Sequence, residues 1–370
     1  MSLASRTATL LLISLVAATS FLAGTARAAA TEAINAADYI VSTFKPGTGT
    51  AYGDAGSAAD SLLALAATGD PKYDEDIAGI LAFLQDQAEA YVKPDASGAS
   101  GAAKLALVAA ATKADSRDFG GVDLIASVRA GIGADGSFGA WPGPFASGLA
   151  MVALARNSEE VPDSMVSYLL TYAEPRVGGA GGGFGCSTYP FKKDGDCPAS
   201  DPDSTGMAVL GLQAAGTATS MAAANDALEW LKSTQQADGS WQNFSPVNST
   251  GVVGPLFPAG SEQASKAKAY VISQQLDSGA LTTGTDKKAN LLATQQGILA
   301  LTEKTYLTIG AQETGATASP TPSGAETAVP STPPLTQDVQ PNLPLLYGAG
   351  AAGLVALCWI AYLGVRQSQS

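Results

Sequence analysis

The sequence predicts an all-α chain folded as an (α/α)6 toroid, six outer helices around six inner ones, and three observations predict it. First, Asp226–Trp241 reads as the end of a helix, an Asp238-Gly239 turn and an aromatic side chain, and Lys266–Leu281 repeats it position for position with Leu281 in the last place. Second, the pairs Tyr39-Ile40, Phe83-Leu84, Tyr168-Leu169, Trp230-Leu231 and Tyr270-Val271, with Ser127-Val128 in the third slot, recur at spacings in the low forties, apart from one longer step between Tyr168 and Trp230. A period of that size marks a repeat architecture. Third, each period holds a second helical pattern that is apolar nearly all round, the signature of a buried helix, while the first carries Lys, Asp and Glu on one face.

In chain order, residues 1–28 read as a secretory signal: Arg6, an apolar run from Leu10 to Val16 and a small-residue cleavage site at Ala26-Arg27-Ala28. Residues 29–310 hold the repeats. The inner helices open at Ser57–Leu65, Ser100–Leu107, Ala146–Leu154, Ser204–Leu212, Ser249–Leu256 and Ala293–Leu301. The fifth contains Gly254 and Pro255 and is followed by Pro258, so it is expected to be short or kinked. Residues 311–342 carry Pro320, Pro322, Pro330, Pro333, Pro334 and Pro341 among Ser, Thr, Ala and Gly; this composition builds no core and reads as a disordered stalk. Residues 343–365 contain no charge and would extend about 35 Å as a helix, enough to cross a bilayer. Arg366 follows, leaving 366–370 as a cytoplasmic tail. The expected layout is signal, ring, stalk and single membrane anchor, with the ring outside the cell.

The net charge of −13 opposes nucleic acid and anionic lipid as partners. With no histidine in the chain, Ser-His-Asp hydrolysis and imidazole-based zinc sites are excluded, and no metal centre is expected. Cys358 lies in the predicted anchor; Cys186 and Cys197 are close in sequence and, in an exported chain, are expected to pair. Their loop accounts for the long fourth step of the repeat.

The Gln235-x-x-Asp238-Gly239-Ser240-Trp241 segment resembles the repeat of the squalene cyclase and protein prenyltransferase superfamily, over roughly residues 31–305. The segment Asp201-Pro202-Asp203-Ser204-Thr205-Gly206-Met207-Ala208 is similar to the Asp-x-Asp-Asp-Thr-Ala motif that opens an inner helix of class II terpene cyclases. By that resemblance Asp203 takes the place of the proton donor and Asp201 that of the first acid, with Ser204 where the motif has a third carboxylate. The same segment resembles the Asp-Thr-x-x-Met-Ala opening in cobalamin carriers of the transcobalamin and intrinsic factor type. Those carriers imply a cobalamin-like corrinoid as the bound ligand. They also close over it with a β-domain, for which nothing after residue 310 is suited. The zinc site of prenyltransferases needs a histidine, and the reactive Cys-Gly-Glu-Gln of thioester toroids is here Gly260-Ser261-Glu262-Gln263, so neither chemistry is implied.

Parallel inner helices would gather their free amides at one mouth, where a polar ligand group is favoured. Candidate ligand-binding residues there are Asp54, Asp60, Ser147, Asp201, Asp203, Ser204, Thr205, Ser249 and Thr250, with Trp141 and Tyr189 as free aromatics. Trp241 reads as a packing latch. The hydroxyls also have a plain use as helix caps, worth about 1 kcal/mol each. Four carboxylates near the mouth disfavour a purely anionic ligand. The expected function is a membrane-anchored extracytoplasmic protein that binds a large small molecule, alone or with a membrane transporter or surface protein. Two alternatives stay open: a degenerate cyclase-like or carboxylate-dependent enzyme working through Asp203 and Asp201, and a surface protein-interaction module.

Overall fold

A computed structural model of the chain describes residues 31–45, 51–92, 96–195 and 197–310. The predicted signal, stalk, membrane span and tail lie outside them. Among the described residues no helix is long and apolar enough to cross a membrane.

The described chain is helical, with isolated bridges in place of strands. The outer helices are α1 (31–42), α3 (Asp74–Asp86) with the short α4 (Ala88–Tyr91), α6 (Leu124–Ala130), α8 (Asp163–Leu170), α10 (Ala218–Thr234) and α12 (Glu262–Ser273). The inner helices are α2 (Ala55–Thr68), α5 (Ala96–Thr112), α7 (Pro144–Arg156), α9 (Pro202–Ala215), α11 (Pro246–Val253) and α13 (Leu291–Thr302). Each inner helix packs on the next, and α13 packs back on α2, so the inner layer closes. As Gly254 and Pro255 lead one to expect, α11 is short and passes into a 3-10 turn at Gly254–Leu256.

Starts of inner helices meet starts, and ends meet ends. Lys104 of α5 reaches Asp60 of α2; Gln295 of α13 reaches the Ser57 carbonyl and Ser61 hydroxyl of α2; Asn248 of α11 reaches Gln296 of α13. At the opposite end Asn157 and Arg156, where α7 finishes, reach the Ala106 and Ala110 carbonyls of α5. The six inner helices therefore run parallel and open at a common mouth. Small side chains permit this approach: a Cβ on Gly148 of α7 would lie 2.2 Å from the Met207 carbonyl oxygen of α9.

The repeat's turn does the joining. At Gly239 (φ +95°) a Cβ would lie 2.3 Å from the Lys266 carbonyl oxygen of the next outer helix. Only glycine combines that left-handed backbone with so close an approach. Gly279 makes the same contact with the Asn35 carbonyl of α1, which places the sixth unit against the first. The Gln275 side-chain amide donates to the carbonyls of Gly279 and Glu32, as Gln235 does to those of Gly239 and Gln263. The ring is thus sealed by the same bonds that link its other units.

Behind each turn a backbone amide is fixed to the following inner helix. Phe184, Trp241 and Leu281 donate their N–H to the hydroxyls of Thr205, Thr250 and Thr294 at 2.9, 3.0 and 2.9 Å. Trp241 is buried, stacks on Phe257 and donates its indole N–H to the Leu231 carbonyl, the latch its position predicts.

The far end of the ring is closed by the chain itself. After α13, Glu303 turns left-handed (φ 55°) and residues 304–310 cross to α7, which stands opposite α13 in the ring. Ile309 is wholly buried and Tyr306 nearly so. Tyr306 and Ile309 thus form the floor of the ring at the end where the inner helices finish.

Candidate functional site

The mouth is built by the segments that lead from outer to inner helices and by the first turns of the inner helices. Asp201 caps α9, accepting from the Ser204 amide at 2.8 Å. The cap frees the next carboxylate, Asp203, to leave the helix sideways. Asp203 accepts from the Asn243 side-chain amide at 2.7 Å, and the Ser249 hydroxyl of α11, which donates to the Ser245 carbonyl, stands near enough to favour its charged form. Burial, then the charge of Asp201, push its carboxyl up to about 7, while Ser249 and Asn243 pull the other way. Burial also raises Asp201, against the Ser204 amide that favours its charged form. A carboxyl that shares its proton near neutrality can donate or accept a hydrogen bond, or act as a general acid.

Across the ring a second polar group sits between α2, α5 and α13. The Lys104 ammonium lies 2.8 Å from both carboxylate oxygens of Asp60, and the two side chains are 6 and 11% exposed. Beside them Tyr91 has a buried hydroxyl with no hydrogen-bond partner. Burial raises its phenol above the ordinary range, and the charges of Asp60 and Asp54 add to this.

The structure sorts the predicted residues. It brings together Asp201, Asp203, Ser204 and Ser249 at the junction of α9 and α11. Asp60 is on the opposite wall, held by Lys104; Asp54 is exposed and caps α2 through the Ser57 amide. The Thr205 and Thr250 hydroxyls accept the backbone N–H of Phe184 and Trp241. Ser147 is fully buried in α7 with its hydroxyl unpartnered. Trp141 and Tyr189 are 66 and 44% exposed. Cys186 and Cys197 are disulfide-bonded, with Cα atoms 5.5 Å apart, and tie the loop before α9. Among the described residues no cluster of His, Cys, Asp and Glu is suited to a metal ion.

Sequence reasoning missed Lys104, Asn243 and Gln295. Lys104 had a signal: Asp60 and Lys104 stand 44 positions apart, one repeat, on adjacent parallel helices. A lone lysine in an otherwise apolar inner helix, in register with an aspartate one unit earlier, is a buried pair.

With this geometry in hand, the comparisons with known proteins are specific about the fold. The family model of the squalene-hopene cyclase C-terminal domain matches residues 124–257. Among solved structures, the GH76A alpha-1,6-mannanase of Salegentibacter sp. HEL1_6 aligns with a TM-score of 0.52 at 13% identity, over 74% of this chain and 98% of the mannanase. An inactive variant of that enzyme in complex with alpha-1,6-mannotetrose aligns with the same score, identity and coverage. A second inactive variant, with alpha-1,6-mannotriose, gives 0.51 at 12% identity over the same shares of the two chains. At such identities the likeness is one of fold. No curated protein matches the sequence.

Proposed function

From the match of residues 124–257 to the squalene-hopene cyclase C-terminal domain and the ring fold, we propose that the chain is an extracytoplasmic, membrane-tethered binding protein of the squalene cyclase-like toroid type. Its ligand is a large, essentially neutral small molecule held at the mouth of the ring. The observation that carries this is the Asp203–Asn243 pair, a partly buried acceptor and donor at the end of the ring where the inner helices start, opposite the end that the protein's own chain closes. A closed floor suits capture from one side better than passage through the ring. The signal and apolar C-terminal segment support export and tethering. A corrinoid, the class named by the resemblance to cobalamin carriers, would have to bind through its amide side chains, since no histidine exists to reach its metal.

A second reading is a carboxylate-dependent enzyme. It is favoured by the pairing of Asp201 with Asp203, whose carboxyl is raised to about 7 as a general acid requires, and by a fold shared with enzymes that act on mannan. Native mass spectrometry of the full-length chain separates the readings. The binding reading expects an intact ligand retained by the wild type and lost in Asn243→Ala. Release of a cleaved or rearranged product that stops in Asp203→Asn would overturn it in favour of the enzyme.

A further inference from the structure

The mouth carries an arc of exposed aromatic side chains that neither caps nor latches explain. Among the described residues six large hydrophobic side chains are exposed, and four of them are Trp141 (66%), Phe145 (37%), Tyr189 (44%) and Phe244 (61%). Trp141 and Phe145 lie where the chain enters α7, Phe244 where it enters α11, and Tyr189 in the disulfide-tied loop that precedes α9.

The hydrogen bonds show that these segments adjoin. The Tyr172 hydroxyl donates to the Pro142 carbonyl, next to Trp141. The Thr171 carbonyl, one residue away, accepts from the Tyr189 amide. The loop that bears Tyr189 returns through the Phe184 carbonyl to the Asp201 amide. Asp203 then holds Asn243, the neighbour of Phe244. Trp141, Tyr189 and Phe244 thus follow one another along a path that passes the Asp203–Asn243 pair.

We infer that this arc is a glycan-binding site, which takes a neutral chain of pyranose units across the mouth with a diol of one unit on Asp203 and Asn243. The inference rests on the mouth being the binding site and names the class of ligand it takes. Its chemistry is that of a sugar ring. One pyranose face is a patch of polarised C–H groups, which packs on the negative face of an aromatic ring. The rim of the same ring bears vicinal hydroxyls, which need an acceptor and a donor side by side. Asp203 and Asn243 offer both.

The placement of the aromatics decides between occupants. Trp141, Tyr189 and Phe244 stand on three different segments, with the Pro142 and Thr171 carbonyls and the Asp203–Asn243 pair between them along the path. A protein partner selects a continuous apolar centre with a polar rim. A corrinoid presents one broad macrocycle, whereas a chain of small rings has one face for each platform. A neutral chain also meets no repulsion from a protein of net charge −13.

The test is titration calorimetry of the full-length chain with neutral manno- and gluco-oligosaccharides of one to six units, and with cyanocobalamin. Affinity should rise with chain length over the first three units or so. It should fall by about tenfold or more in Trp141→Ala and in Phe244→Ala, both exposed positions whose loss should leave the melting temperature in place. Asn243→Ala should weaken every length alike. No glycan binding, or binding indifferent to Trp141 and Phe244, would overturn the inference. If cyanocobalamin, or another ligand retained through purification, binds and is lost in Asn243→Ala, the glycan inference falls while the mouth-binding reading stands. If nothing bound depends on Asn243, both fall.

Discussion

The Arg156 guanidinium donates to the Ile309 carbonyl at 2.6 Å, and through its other nitrogen to the Tyr306 carbonyl at 2.8 Å. One side chain at the end of α7 therefore pins a segment that leaves α13 on the opposite side of the ring. Arg156 is itself largely buried, enough to lower its guanidinium from the ordinary value. Replacing it with Met would remove its donors from the Tyr306, Ile309 and Ala110 carbonyls beneath a buried Ile309. We expect a loss of about 2–3 kcal/mol in urea unfolding. Hydrogen exchange should rise across residues 304–310 before it rises in the inner helices. Uniform exchange would mean that the strap is no separate unit.

Asp203 gives the stability a pH dependence. Its folded carboxyl is raised to about 7, whereas in the unfolded chain it titrates near about 4. Between those values the folded state binds a proton that the unfolded state has released. Its contribution is therefore full below about pH 4, declines as the pH rises to about 7, and is flat above. Asp203→Asn should remove that decline, leaving the variant more stable than the wild type at pH 8 by up to about 4 kcal/mol and no more stable at pH 4. Equal stabilities at pH 8 would show that the carboxylate is not penalised by its surroundings.

The Cys186–Cys197 disulfide should act locally. Closing a loop of this size is worth about 2–3 kcal/mol in the chain-entropy account. The paired Cys186→Ser, Cys197→Ser variant should unfold at correspondingly lower urea. It should also open the Gly-rich stretch before α9 to protease while the Trp241 latch stays protected. In the glycan titration, the same variant should lose the contribution of Tyr189 and keep that of Phe244.

The ring was legible because its devices are periodic. Gln235 and Gln275, Gly239 and Gly279, and the aromatic–aliphatic pairs each perform the same act in successive units, so spacing alone located them. The weak fifth helix could be read from Gly254 and Pro255 because backbone chemistry is local. The site was legible only in part. Asp203 and Ser249 stood out by type and position, but Asn243 lies in a turn with no periodic partner, and only the fold brings it to Asp203. Thr205 and Thr250 looked like mouth hydroxyls because a helix start is polar by default. Which way a first-turn hydroxyl faces depends on the neighbouring loop, and here Phe184 and Trp241 present amides that claim it.

Those hydroxyls make a prediction across units. Thr250→Val removes the acceptor for the Trp241 amide without changing side-chain shape, and leaves a buried N–H unpaired at a cost of about 1–3 kcal/mol. Thr205→Val and Thr294→Val do the same to Phe184 and Leu281. The three losses should be similar, and none should change ligand affinity. A variant that bound ligand less well without losing stability would return that threonine to the binding surface.

Asp60 and Lys104 are the strictest case, because the pair is nearly dry and spans two inner helices. Asp60→Asn alone would strand the ammonium of Lys104 in the wall, and Lys104→Met alone would strand the carboxylate. Each should cost about 3–5 kcal/mol. The double replacement Asp60→Leu, Lys104→Met removes both charges while keeping the volume, and should recover most of that loss. A double-mutant cycle in urea reads the coupling directly. If the pair is structural, the double variant folds and binds ligand as the wild type does. If either group also touches ligand, the double variant will be stable yet bind poorly, and the binding surface then extends across the mouth to α2.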